Sequence, residues 1–159
     1  MEAASPILDQ EVQGQGVFVG QFEHNLDPKK RLTIPAEWRI QTGKSKGLYI
    51  LPNVRMGCLN VLQASEMVLR IQKMREHPIS DEQAQIFARH LGSRSDLVSW
   101  DSQGRIRVSD LLLDFAGLAD RVVMLGAFVK FELWNPDRYR ERGEASPEQL
   151  QEATTKVGF

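Results

Sequence analysis

Residues 27–43, DPKKRLTIPAEWRIQTG, lie over residues 101–117, DSQGRIRVSDLLLDFAG, without a gap at an offset of 74. Asp27 then meets Asp101, Arg31 meets Arg105, Ile34 meets Val108, Trp38 meets Leu112, and Gly43 meets Gly117. The likeness continues downstream. KGLYILP at 46–52 pairs with DRVVMLG at 120–126, and after a two-residue difference in length LNVL at 59–62 pairs with FELW at 131–134. Self-similarity of this kind means that one supersecondary unit is used twice. With 159 residues in all, the chain can bury one ordinary core or two small ones that share an interface.

The periods inside each unit are readable. Val17, Val19 and Gln21 alternate with Phe18, Gly20 and Phe22, which predicts a short strand leading into the first D-x-x-x-R. Asp27-Pro28 suits the first two positions of a type I turn, and Asp101 to Gly104 gives the second copy the same start with Gly at the fourth position. Each motif Arg therefore follows a turn tip. Pro35 opens a short helix ended by Gly43, and Ser109 caps one ended by Gly117. Strands around 47–51 and 58–62 close the first unit; 121–126 and 130–134 close the second.

Between the units an all-helical insert is predicted. Ser65 caps a helix carrying Met67, Val68, Ile71 and Met74 at helical spacing, and His77-Pro78 stops it. That apolar stripe is expected in the core or at a subunit contact. Ser80 to Gln83 has a capping-box pattern, followed by Ala84, Phe87, Ala88 and Leu91 before Gly92. Asn135-Pro136 and Ser146-Pro147 each read as a cap followed by Pro at the first helical position. The organisation expected is a disordered extension over 1–16, units over 17–64 and 95–140, an insert over 65–94, and a helical tail over 141–159.

Composition excludes more than it assigns. The chain has no apolar window of membrane-spanning length, and its first residues lack the basic start and apolar run of a secretory signal, so a cytoplasmic location without membrane contact is expected. Cys58, the single cysteine, has no disulfide partner in the chain, and His24, His77 and His90 lack zinc-site spacing. No metal or cofactor is expected. Neither Cys58 nor Ser95 has a catalytic partner nearby in sequence, which argues against an enzyme. Gly14, Gly16 and Gly20 precede a strand and miss the G-x-G-x-x-G spacing of a dinucleotide site. The formal net charge of −1 leaves nucleic acid open, since phosphate binding depends on where cations sit.

The doubled strand, D-x-x-x-R turn, short helix and strand pair, split by a helical insert, resembles the MraZ family of the SpoVT/AbrB-type swapped-hairpin superfamily. The resemblance covers 17 to about 140, with EHNLDPKKRLTIPAEWR at 23–39 and VMLGAFVKFELW at 123–134 similar to the family's two signature stretches. It implies an α+β fold of two tandem swapped-hairpin half-barrels in pseudo-two-fold arrangement, with helices between and after them. It also implies a homo-oligomeric ring whose turn-borne Arg residues face repeated boxes of double-stranded DNA. The regulated promoter would be that of a cell-division and cell-wall gene cluster, repression being the favoured sign, and the protein would be associated with the nucleoid. The family's D-x-x-G-R is kept in the second copy by Gly104; the first copy has Lys30 instead.

Charge ranks the two copies. Over 24–46, Lys29, Lys30, Arg31, Arg39, Lys44 and Lys46 oppose Asp27 and Glu37, a net of +4; over 101–123, Arg105, Arg107 and Arg121 oppose Asp101, Asp110, Asp114 and Asp120, a net of −1. The first copy is the better phosphate partner. Arg31 is assigned as a base or phosphate contact, with Lys29 and Lys30 on phosphate. Arg39 stands between a phosphate contact and a solvated charge, and Arg105 and Arg107 are weaker DNA candidates among acidic neighbours. Asp27, Asp101 and Gly104 are read as turn formers. The plain alternative for Asp27 with Arg31 is an ion pair that fixes the turn. Trp38 aligns with Leu112 and reads as core, as do Trp100 and Trp134 at the strands of the second unit. The competing function is an antitoxin-like module of the same superfamily that binds a partner protein, against which stand the doubled fold and the short polar tail.

Overall fold

A computed structural model of the chain describes residues 16–159, so the extension expected over 1–16 lies outside the described residues except for Gly16. Apolar alternation builds the strands. β1 (Gln21–Asn25), β3 (Gly47–Asn53), β4 (Cys58–Gln63), β5 (Asp96–Ser99), β7 (Arg121–Gly126) and β8 (Phe131–Trp134) make one sheet, while β2 (Arg31–Thr33) and β6 (Arg105–Arg107) make a separate two-stranded ribbon. All pairs are antiparallel.

The strand order is β1-β7-β8-β4-β3-β5. Replacing each strand by its counterpart in the other repeat gives the same order from the opposite end. The first strand of each repeat is paired across: Gln21 faces Leu125, and Gly47 faces Ser99. The ribbon also crosses the repeats, with Leu32 opposite Ile106. The chain is thus a mixed α+β fold whose repeats are joined through four strand pairings, β1 with β7, β2 with β6, β3 with β5 and β4 with β8.

The core fills the space between sheet and ribbon. Leu48, Ile50, Leu59, Val61, Val122, Met124, Phe131 and Leu133 point in from the sheet, Leu32 and Ile106 from the ribbon. Two short helices close the sides, α1 (Ala36–Gln41) with Trp38 and α4 (Asp110–Ala116) with Leu112, Leu113 and Ala116. Trp38 is 1% exposed; its ring lies 4.6 Å from that of Phe131 and 5.2 Å from that of Phe22, and its indole N–H donates to Val19 O at 2.8 Å. Trp134 is buried on the other face of the sheet beside Cys58 and Val123, and Trp100 packs against the main core. These three tryptophans are packing residues, as the alignment of Trp38 with Leu112 and the place of Trp100 and Trp134 at the strands of the second unit suggested.

Several local expectations need correction. The strand expected from Val17 onward begins only at Gln21, because Gly20 has φ 98 and breaks the extended run after a single bridge from Phe18 to Phe128. Helix α2 (Ala64–Met74) starts before Ser65, with Gln63 at the N-cap position. In α3 (Glu82–Arg94) the cap is Asp81, accepting from Ala84 N, and not Ser80; the helix also continues through Gly92. Neither insert helix buries a residue within the chain, and Val68, Leu69, Ile86 and Phe87 are exposed. The insert stripe is therefore not core. The other caps stand as read: Ser109 accepts from Leu112 N, Asn135 caps α5 (Pro136–Arg138), and Ser146 with Gln149 forms a capping box on α6 (Pro147–Val157). A π-helical turn (Tyr139–Gly143) follows α5. No helix among the described residues is long and apolar enough to cross a membrane.

Candidate nucleic-acid interface

The two D-x-x-x-R turns have the same backbone. Lys30 N donates to Asp27 O and Asp27 N to Arg31 O; Gly104 N donates to Asp101 O and Asp101 N to Arg105 O. Each is a tight reversal whose last residue before Arg is left-handed, at φ 78 for Gly104 and φ 63 for Lys30. That conformation costs a non-glycine residue about 1 kcal/mol. The aspartates hold the turns from inside. Asp27 Oδ1 accepts from the backbone N–H groups of Lys29 and Arg31, and Asp101 Oδ1 from those of Gln103 and Arg105. These bonds favour the carboxylate, led in both cases by the backbone N–H of the motif Arg, and depress both acids below the ordinary 3.8, Asp101 to about 2.

The other oxygen of each aspartate takes the motif Arg. Arg31 Nε lies 2.6 Å from Asp27 Oδ2, and Arg105 places Nε at 3.0 Å and Nη2 at 2.9 Å from Asp101 Oδ2. Arg105 Nη1 also lies 4.0 Å from Asp27 Oδ2. The turn-fixing ion pair and the partly exposed cation are thus one arrangement. Arg31 spends only Nε, so both its terminal amino groups are without a partner among the described residues.

The ribbon collects the cations on one face. Side chains alternate along a strand, and Leu32 and Ile106 point into the core, so Arg31, Thr33, Arg105 and Arg107 share the opposite face. The register sets Arg31 opposite Arg107 and Thr33 opposite Arg105. Three guanidinium groups from two repeats therefore stand together, with Lys29 exposed at the adjoining turn tip. Their joining across the repeats is not visible in sequence, because the 74-residue offset aligns Arg107 with Thr33 and gives no hint that it faces Arg31.

The remaining candidates separate. Lys30 Nζ reaches across to Asp110 Oδ1 at 2.5 Å, and Arg107 Nη2 lies 3.9 Å from the same oxygen. Arg39 donates Nε to Ile34 O at 3.1 Å and lays its guanidinium over Gly104. Its counterpart Leu113 lines an open cleft with Lys30, Asp27 and Pro28. Asp110 was missed by sequence reasoning as a partner of the turn. Its only signal was a carboxylate directly after the cap Ser109, which reads as ordinary helix-terminus chemistry.

Comparisons with known proteins agree with the resemblance. A family model described as "MraZ protein, putative antitoxin-like" matches residues 93–157. The chain is 30% identical to the transcriptional regulator MraZ of Clostridium acetobutylicum over 82% of its length and 89% of that protein. It is 34% identical to that of Desulforamulus reducens over 86% of its length and 96% of that protein, and 32% identical to that of Lactobacillus delbrueckii subsp. bulgaricus over 86% and 93%. With likeness at this level over nearly the whole of these relatives, the chain belongs to the MraZ family.

Proposed function

We propose that this chain is a sequence-specific DNA-binding transcription regulator, in keeping with the names of its relatives, and that the β2–β6 ribbon meets the duplex. The observation that carries this is the face bearing Arg31, Arg105 and Arg107 beside the turn tip of Lys29 and Lys30. A two-stranded ribbon fits the width of the major groove. Arg31 is the reader of choice, since its two amino groups are held ready by the Nε bond to Asp27 and can take the two acceptors of a guanine edge. Arg105 has its Nε and one amino group committed to Asp101. Lys29, Lys30, Arg39 and Arg107 supply phosphate contacts, which orient the protein without reading sequence.

In this reading 17–64 and 95–140 are tandem swapped-hairpin units, supported by the exchange of β1 and β5 between the repeats. The exposed apolar faces of α2 and α3 join copies into a ring. One turn binds weakly, and several on a rigid scaffold gain avidity on repeated promoter boxes. The promoter is that of a cell-division and cell-wall cluster, repression is the favoured outcome, and the protein works in the cytoplasm on the nucleoid. Gel shift on the chain's own upstream region against a scrambled duplex tests the reading. Arg31→Ala should cost about 1 to 3 kcal/mol per engaged subunit, and Arg105→Ala less. Undiminished binding by Arg31→Ala in an oligomer of native size rejects Arg31 as a reader. A second reading is favoured by the antitoxin-like description of the family; co-purification of a small partner protein, with no shift of either duplex, would establish it instead.

A further inference from the structure

Asp110 is held by cations of both repeats at the ribbon and, unlike Asp27, it belongs to neither D-x-x-x-R turn. Its Oδ1 is 2.5 Å from Lys30 Nζ, which comes from the first turn, and 3.9 Å from Arg107 Nη2, which comes from β6. Lys30 directly precedes Arg31 in the chain, and Arg107 stands opposite Arg31 across the ribbon. The two cations on Asp110 therefore flank the proposed reader on both sides. At the matching place in the other repeat, 74 residues earlier, stands Ala36, so the second turn has no such carboxylate.

Stability does not account for the arrangement. The Lys30 and Asp110 side chains are 47% and 63% exposed, and pairs so open to solvent add little to folding. Ser109 already caps α4 through Leu112 N. Lys30 makes this contact from a left-handed backbone that the turn shares with Gly104. What the geometry does accomplish is charge competition. A phosphate approaching the ribbon must take Lys30 and Arg107 from a carboxylate, so part of their attraction for DNA is already spent. Lys30 first, and Arg107 after it, hold the Asp110 carboxyl below its ordinary value.

Building on the DNA-binding reading, we propose that Asp110 limits the sequence-independent affinity of the protein by occupying Lys30 and Arg107 in competition with backbone phosphate, while leaving the amino groups of Arg31 free to read bases. The residue tempers binding without touching DNA. It gives a regulator with several ribbons in one assembly a way to avoid being held on random sequence.

The test is a salt titration of binding to the upstream duplex and to its scrambled control, using the full chain in its native assembly. Asp110→Asn should raise affinity for both duplexes alike, about two- to fivefold per engaged subunit, and steepen the log–log salt slope by about one unit per engaged subunit. Adding Lys30→Ala to Asp110→Asn should cancel most of that gain. Glu152→Gln, which removes a carboxylate from α6 instead, should leave both duplexes unchanged and so controls for net charge. If Asp110→Asn disturbs folding, Asp110→Ala, which copies position 36, takes its place with the same expectation. Equal or weaker binding by the folded variant, a gain that survives Lys30→Ala, or an equal gain in Glu152→Gln each overturns the proposal. A native protein that shifts neither duplex overturns the DNA-binding reading itself, whereas native binding with an unchanged Asp110→Asn slope overturns this inference alone.

Discussion

The guanidinium of Arg39 covers Gly104 so closely that a Cβ at position 104 would lie 2.5 Å from Arg39 Cζ. The two belong to different repeats, and their counterparts Leu113 and Lys30 both line one open cleft. The cation has changed sides: the helix supplies it at Gly104 and the turn supplies it at the cleft. Gly104→Lys alone should destabilise the fold, through left-handed strain of about 1 kcal/mol and through displacement of Arg39 from Ile34 O, worth about 0.5 to 1.5 kcal/mol. Arg39→Leu should relieve the overlap when combined with it. Urea unfolding of both singles and the double should show a favourable coupling of about 0.5 to 3 kcal/mol; additive losses would mean that the contact does not constrain position 104.

Acid stability should depend on the turn aspartates. Asp101 is depressed from 3.8 to about 2 by the backbone N–H and side chain of Arg105 and by the Gln103 N–H, so the folded state favours its carboxylate. The stabilisation is then present above the ordinary value and lost as pH falls through the folded one. Asp101→Asn keeps an acceptor for the turn and should flatten the stability profile between roughly pH 4 and 2. A profile as steep as the native one would assign the acid loss to other carboxylates.

Trp38→Ala should be among the most damaging single changes, costing about 3 to 5 kcal/mol in chemical denaturation. The indole fills the space among Phe18, Phe22 and Phe131 and also ties down Val19. Trp38→Phe restores much of the volume but leaves Val19 O without its donor, so it should fall between native and alanine. A tolerated alanine would mean that the indole is not the keystone of this face.

Cys58 should resist thiol reagents in the native protein. Burial first, and the charge of Glu132 second, push its thiol up to about 12, and the side chain is buried in a cluster with Val123 and Trp134 against which Met56 and Tyr139 pack. Modification at pH 8 should follow the unfolding rate, rising with added urea. Rapid labelling without denaturant would reveal an opening of this face in the folded state.

The turns were the most legible part of the chain. Asp27 and Asp101 could be read as turn formers because their spacing to Arg repeats, and Ser109, Asn135 and Ser146 as caps because each stands just before a helix with its own start signals. Ser80 and Asp81 are both good caps side by side, and local chemistry does not rank them. The exchange of β1 and β5 was hidden for a deeper reason: alternation says which face of a strand is buried, not which strand lies beside it. The same limit concealed the face shared by Arg31 and Arg107, and the contact of Lys30 with Asp110, since both arise only when the repeats interlock.

That interlocking governs how the chain must come to its native state. Among the described residues β1 pairs with β7 alone, and β3 gains its second neighbour from β5, so the first repeat emerging from a ribosome lacks the strand that closes on its own leading edge. Pairings of such long sequence separation form slowly, and until they do the unpaired edges can recruit the same strands of another copy. Synthesis has to pass Gly126 before Gln21–Asn25 has a place to go. A cut in the insert between α2 and α3 would leave two pieces, each carrying the closing strand of the other, which should regain the fold when mixed and aggregate when kept apart.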